Sequence, residues 1–316
     1  MILRRPVSTT VATVLLAAAF AAPATAATQL PGNVDIGCAA DTLHQSADWY
    51  LPTGTPRALV WIQHGFARSD TQVGALARSF ADAGYLVFTP SLPFMQLSGC
   101  TLQNLGDNSG FLNHVAELFG TAADPGGALA ASLAAAASRA GQPAPALPHD
   151  LIFLGHSAGG EAVTFVADRI RSTYPDAWSG LRGVILLDPV KSFVGDNIAR
   201  ALSGLDPTGL PILTISAPPA LCNSFGLGTA AVQSQLHRPF VGVRLHGGAH
   251  TDAEGDSSDL LGTLFCGTPT PVNSGALRTL ALGWSDDFLT GATGSAEPQA
   301  RDLVSHGLAA DLLAGS

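Results

Sequence analysis

Two hydrophobic rhythms alternate along the chain. Short uninterrupted apolar runs occur at 58–63, 85–90, 151–154, 183–187, 210–216 and 241–245. They are too short for ordinary helices, and each reads as a strand buried on both faces. Between them lie stretches with helical spacing. Residues 71–84 place Val73, Leu76, Phe80 and Ala83 on one side, and 274–289 do the same with Leu277, Leu280, Ala281, Trp284 and Phe288. A further helix is expected over 161–172. Buried strands alternating with helices predict an α/β fold with a mostly parallel central sheet and helices on both faces. Residues 27–57 read as an irregular lead-in plus one strand at 46–51, and the last 25 residues fit neither rhythm.

Two stretches interrupt the pattern. Residues 91–150 are long for one crossover and hold helical segments at 110–119 and 128–140, the second rich in alanine, the best intrinsic helix former. Residues 191–209 form a shorter insertion. Either is placed to supply a flap over a site, because ligands of parallel sheets bind at the carboxyl ends of the strands.

The first residues change where the protein is expected to work. Arg4 and Arg5 precede an uncharged apolar run, 11–22, and then Ala24-Thr25-Ala26. This is the pattern of a secretory signal peptide, residues 1–26, with cleavage after Ala26. The run is short for a bilayer span, so no membrane anchor is expected after cleavage. Residues 27–316 then form one domain that is secreted and acts as a monomer. In an oxidising compartment the four cysteines suggest two disulfides. Three pairings are possible. Cys38–Cys100 and Cys222–Cys266 are favoured, the second because it would clamp the segment that carries the histidine discussed below.

Composition narrows the partners. Hydrophobic residues make up 47% of the 316 and charged ones only 12%, enough to build a large core. Fifteen basic residues face 24 acidic ones, giving a net charge of −9, and Lys191 is the only lysine. No basic cluster exists to bind nucleic acid or an anionic lipid surface.

The sharpest chemical signal is Gly155-His156-Ser157-Ala158-Gly159, directly after the 151–154 run. It matches G-x-S-x-G between a strand and a helix, where a strained turn lifts a serine hydroxyl clear of the sheet and small neighbours leave it room. A serine nucleophile needs a base, an acid to orient the base, and N–H donors for the oxyanion. No Asp or Glu occurs from 207 to 251, so the loop after the 210–216 strand offers no acid. One strand earlier, Asp188 stands at a strand end in Leu187-Asp188-Pro189-Val190 and is assigned as the acid, with Asp206 as its rival. Of nine histidines, His250 follows both Ser157 and Asp188 at a strand end and is the candidate base; His246 and His237 are competitors. His156 sits inside the turn and is expected to point away from the serine hydroxyl. The oxyanion donors expected are the Ala158 N–H and, in His64-Gly65-Phe66, the Phe66 N–H. Phe66, Phe94, Met95, Leu221 and Phe225 are candidate apolar substrate contacts.

In order along the chain, the His64-Gly65 pair, Gly155 to Gly160, Leu187 to Val190 and Gly248-Ala249-His250 resemble the α/β-hydrolase superfamily over about residues 45 to 290. The acid's place after the strand that follows the nucleophile helix resembles chlorophyllases and platelet-activating-factor acetylhydrolases. The His64–Phe66, Gly155–Gly160 and Asp188–Val190 segments are similar to chlorophyllase-type and bacterial polyester-hydrolase-type sequences. The resemblance implies a serine esterase acting on a small-molecule or polymeric ester, with no cofactor and no metal. A peptidase or amidase on the same three residues, and a non-catalytic binding protein on this scaffold, are the alternatives. The acid-rich stretch 250–259 lacks the glycine and terminal glutamate of an EF-hand and is expected to be a solvated loop or helix start.

Overall fold

The computed structural model describes residues 26–316; the signal peptide expected over 1–26 therefore lies, apart from its last residue, outside the described residues. The strands are β1 (Thr28–Cys38), β2 (Asp41–Leu51), β3 (Leu59–Gln63), β4 (Leu86–Pro90), β5 (Leu151–His156), β6 (Leu181–Leu187), β7 (Ile212–Ser216), β8 (Gly242–Leu245) and β9 (Ala310–Leu313). They form one sheet in the order β1-β2-β4-β3-β5-β6-β7-β8-β9. Strands β3 to β8 pair parallel; β1 and β2 at one end and β9 at the other add antiparallel edges.

The uninterrupted apolar runs exist because both faces of the sheet are covered. Leu59 and Trp61 of β3 join Phe153 and Leu186 in one core, while Val60 and Ile62 join Leu154 and Ile185 in the other. The first core is closed by α2 (Ser109–Gly120), α3 (Ala128–Arg139), α4 (Ala158–Thr173), α6 (Asn197–Leu205) and α7 (Leu227–Gln235), the short α5 (Pro175–Gly180) flanking α4. The second is closed by α1 (Gly74–Asp82), α9 (Pro271–Thr290) and α10 (Ala296–Ser305). Helix α8 (Leu260–Cys266) belongs to neither and lies at the carboxyl end of the sheet.

Several expectations change. Residues 27–57 are not an irregular lead-in but a long hairpin, β1 paired with β2 from Thr28↔Leu51 to Cys38↔Asp41. Leu30, Val34, Ile36 and Cys38 of β1 are buried on one face, against α2 and α3, while the other face stays polar. The final 25 residues hold the whole of α10 and the edge strand β9. Helices α2, α3 and α6 pack into the core, and Leu92, Cys100 and Leu102 anchor the loop between β4 and α2 to it as well. Cys38–Cys100 and Cys222–Cys266 are bonded. The first fastens the hairpin to the loop after β4, and the second fastens α8 to the loop after β7. Two disulfides suit an oxidising compartment. Among the described residues no helix is long and apolar enough to cross a membrane.

Candidate active site

Ser157 sits between β5 and α4 with φ 59° and ψ −126°, a left-handed conformation that a residue with a side chain adopts only at a cost. Its backbone is held on both sides. The Ser157 N–H donates to Leu187 O (3.1 Å), and Ser157 O accepts from Gly160 N (2.9 Å) and Val190 N (3.0 Å). The glycines around it are required by close backbone approach. A Cβ on Gly155 would lie 2.3 Å from Gly159 O, and one on Gly159 would lie 2.4 Å from Gln63 O. Gly65 packs on the serine itself, where a Cβ would meet Ser157 Oγ at 2.9 Å. The loop after β3 is thereby pressed against the first turn of α4, whose free N–H groups and dipole favour negative charge at this point.

Asp188 follows β6 and is also left-handed, φ 43°. Its carboxylate is buried and collects donors from three directions. Oδ1 accepts from Ala217 N (3.1 Å), and both oxygens lie 3.2 Å from Asn223 Nδ2. Oδ2 lies 2.6 Å from His250 Nδ1. A carboxylate at that distance fixes the proton on Nδ1 and leaves Nε2 as the lone-pair nitrogen. The rivals are elsewhere. Asp206 accepts from His237 N and Nδ1 (3.0 and 2.8 Å) and lies near Arg238. His246 pairs with Asp311 at 2.9 Å beside β9.

His156 is buried against His250, ring centroids 4.7 Å apart, and its Nε2–H donates to His250 O at 2.9 Å. Burial, helped by the neighbouring His250, pushes His156 well below the ordinary imidazole range and keeps it neutral. It acts as a bracket for the His250 backbone. His64 is likewise neutral, lowered to about 4 by burial, and donates from Nδ1 to Gly65 O (2.8 Å).

Ser157, His250, Gly65, Phe66 and Leu221 line one cleft of about 390 Å³, closed on its far side by Leu261 and Phe265 of α8. That volume lies within the range of small-molecule sites. Of the other expected contacts, Phe94 reaches the cleft only through Phe66, ring centroids 5.2 Å apart. Met95 and Phe225 are exposed and do not line it; the loops that carry them turn those side chains to solvent.

Three residues were not anticipated. Asn223 holds Asp188 and shapes its own loop, donating to Pro218 O and accepting from Ala220 N and Gly226 N. Arg68 enters the cleft wall and pairs with Glu254 (2.8 Å) and Asp259 (3.1 Å). The 250–259 stretch is accordingly not a solvated loop but two short helical turns, His250–Ala253 and Gly255–Ser257, followed by the start of α8, which Asp259 caps. Asp252 accepts from Ala249 N, Thr270 N and Ser274 Oγ, and burial raises both Asp252 and Glu254 above ordinary carboxylates. Asp252 thereby fixes the backbone before His250 and at Thr270, while Glu254 accepts from the Arg68 and Ser258 side chains. The one sequence cue was their density.

No known protein family and no curated protein sequence matches the chain. Among solved structures it is similar to dienelactone hydrolase from Anabaena variabilis ATCC 29413, with a TM-score of 0.51 and 16% identity over 81% of this chain and 97% of that one. The sheet order thus stands on a shared architecture: this chain has the α/β-hydrolase fold.

Proposed function

We propose that the chain is an exported serine hydrolase that cleaves carboxylic esters as a monomer and without a cofactor. One observation carries the reading: Asp188 Oδ2 at 2.6 Å from His250 Nδ1, in the cleft where the strained turn presents Ser157. In this reading Ser157 Oγ attacks the ester carbonyl and His250 Nε2 takes its proton. The Ala158 and Phe66 N–H groups receive the oxyanion, a contribution of about 3 kcal/mol per donor. His250 then protonates the leaving alcohol, and water releases the acyl group by the same route in reverse. Asp188 holds the imidazole tautomer and stabilises its cation. The apolar wall of Phe66, Leu221, Leu261 and Phe265 favours an apolar acyl or aromatic group. Placement of the acid after β6 is the feature that resembles chlorophyllases and platelet-activating-factor acetylhydrolases, and Ala217 N, just past β7, donates to it.

Fluorophosphonate labelling of the mature protein, located by peptide mass spectrometry, tests the nucleophile; the label is expected on Ser157. Ser157→Ala should lose nitrophenyl-ester hydrolysis by about 10⁴-fold or more. A Ser157→Ala protein as fast as wild type overturns the reading. A matched amide cleaved as fast as the ester would make the enzyme an amidase.

A further inference from the structure

Among the described residues, all but one of the large hydrophobic side chains exposed to solvent lie at one edge of the sheet. Among the described residues there are 16, and all except Val304 belong to segments that leave the carboxyl ends of the strands. Leu97 is 92% exposed in the loop after β4, Phe193 84% in the loop after β6, and Leu260 80% at the start of α8. Scattered surface leucines are ordinary, but a contiguous apolar patch this size is rare on a protein that faces only water.

These segments touch one another. Phe66 packs on Phe94, the Asn104 N–H donates to Ser192 Oγ at 3.0 Å, and Cys222 is bonded to Cys266. The patch is continuous with the cleft, since Leu221, Leu261 and Phe265 line the cleft and are exposed as well. Helix α8 presents Leu260, Leu261, Leu264 and Phe265 outward and contributes only Gly262 to the buried interior. The disulfide and the Asp259–Arg68 pair hold it in place. A helix that covers no core and is fastened at both ends is built to show its apolar side.

Charge selects the partner. Segments 91–106, 217–236 and 260–277 contain no Asp, Glu, Lys or Arg. The two basic residues in the strand-end loops, Arg68 and Lys191, are both ion-paired. The remaining exposed charges there, Asp107 and Asp256, are acidic. Anionic bilayers are recognised through clustered basic residues, which are absent. An uncharged apolar surface matches an uncharged apolar phase.

We infer that the carboxyl edge of the sheet is a docking platform for an uncharged, water-insoluble ester phase, and that it delivers esters from that phase into the cleft. The inference rests on the ester-hydrolase reading and names its substrate class, but the docking step is separable from the chemistry.

The test uses the full mature chain with disulfides formed. Ser157→Ala protein is floated with triolein droplets, so that binding is read without turnover. It should float with the droplets, and 0.5 M NaCl should change the bound fraction by less than twofold, because no ion pair contributes. The triple substitution Leu97→Ser, Phe193→Ser, Leu260→Ser touches no cleft-lining residue. It should weaken droplet binding at least tenfold with an unchanged melting temperature. With Ser157 intact, the same substitutions should leave p-nitrophenyl acetate hydrolysis within twofold and slow triolein hydrolysis at least tenfold. Absence of droplet binding, equal binding by the triple variant, or tighter binding to phosphatidylcholine vesicles overturns the platform. So does a concentration-dependent dimer that the triple variant abolishes. Droplet binding that survives alongside Ser157-independent ester hydrolysis supports the platform while overturning the catalytic reading.

Discussion

The two edges of the parallel sheet are built from different materials. At the amino ends of the strands, ion pairs close the surface: Arg57 with Asp286 (2.8 Å), Asp150 with Arg182 (2.6 Å), and Asp206 with Arg238 (3.7 Å). At the carboxyl ends, the polar groups around Ser157 are buried, and the surface beside them carries long apolar stretches with few charges, among them the Lys191–Asp196 and Arg68–Asp259 pairs. Asp188, Asn223 and His250 lie below, and Leu221, α8 and Phe193 lie above. One sequence with only 12% charged residues has segregated them, and the segregation follows the chemistry. An edge that must hold a carboxylate and an imidazole in register buries them, satisfies each with donors, and leaves the outside free for substrate.

The largest expected effect compares two aspartates, one at each edge. Asp188→Asn keeps the side-chain shape, but its Nδ2 donates to His250 Nδ1 and drives the proton onto Nε2, the wrong tautomer for a base. Ester kcat should fall about 10⁴-fold. Asp206→Asn, which also faces a histidine, should leave kcat within twofold. Equal losses in the two variants would erase the distinction between the edges. Asn223→Leu comes next. It removes both donor contacts to the Asp188 carboxylate, and a hydrogen bond to a charged group is worth about 2 kcal/mol, so kcat should fall some tenfold to a hundredfold with KM little changed. Asn223→Asp, which returns the size without the donors, should not rescue it.

The buried histidines at the carboxyl edge also set the acid sensitivity of the fold. His64 has its folded pKa lowered to about 4 from 6.5. Between those values the unfolded chain binds a proton that the folded one refuses, so stability falls as pH drops through this window. His156 is shifted in the same direction. Glu161 and Glu254 oppose them: burial raises their pKa, the folded chain keeps protons the unfolded has released, and stability from them declines as pH rises above 4.5. His64 alone should cost about 2 kcal/mol at pH 5 relative to pH 7.5. Urea midpoints of wild type and His64→Asn at both pH values isolate the contribution, since the variant should lose that difference. An unchanged difference would show that His64 is hydrated in solution.

What the sequence made legible follows from how local each signal is. The strands β3 to β8 announce themselves because both faces are buried, and the nucleophile turn does because Gly155, Gly159 and Gly65 are forced by backbone contacts only a few residues or one strand away. The pairing of Asp188 with His250 spans 62 residues and was legible only through chain order, strand-end position and the absence of acids from 207 to 251. Strand β1 went unrecognised although Leu30, Val34 and Ile36 alternate, because Pro31 and Gly32 weaken the pattern and only pairing with β2 makes it a strand. Asn223, Arg68 and Glu254 were illegible for a different reason. Arg68 and Glu254 lie 186 residues apart, and nothing near either announces the other. Likewise an exposed Leu260 and a buried Leu277 look alike in sequence, so the apolar edge emerges only when the topology gathers its loops.

The smallest expected effect sharpens the comparison from the amino edge. Arg182 and Asp150 form a pair with side chains about one-third exposed, 38% and 34%. Solvent screens such a pair and holding both chains in place costs entropy, so a double-mutant cycle with Arg182→Ala and Asp150→Ala should give a coupling of about 0.5 kcal/mol. Added salt at 0.5 M should remove most of it. Ester kcat should not move in any member of the cycle, because β5 and β6 carry the pair at their amino ends and Ser157 and Asp188 at their carboxyl ends. A coupling near 2 kcal/mol that persists in salt would mean that this edge, too, is holding the sheet in register. Its charges would then be structural, and the division of labour between the two edges would be one of exposure alone.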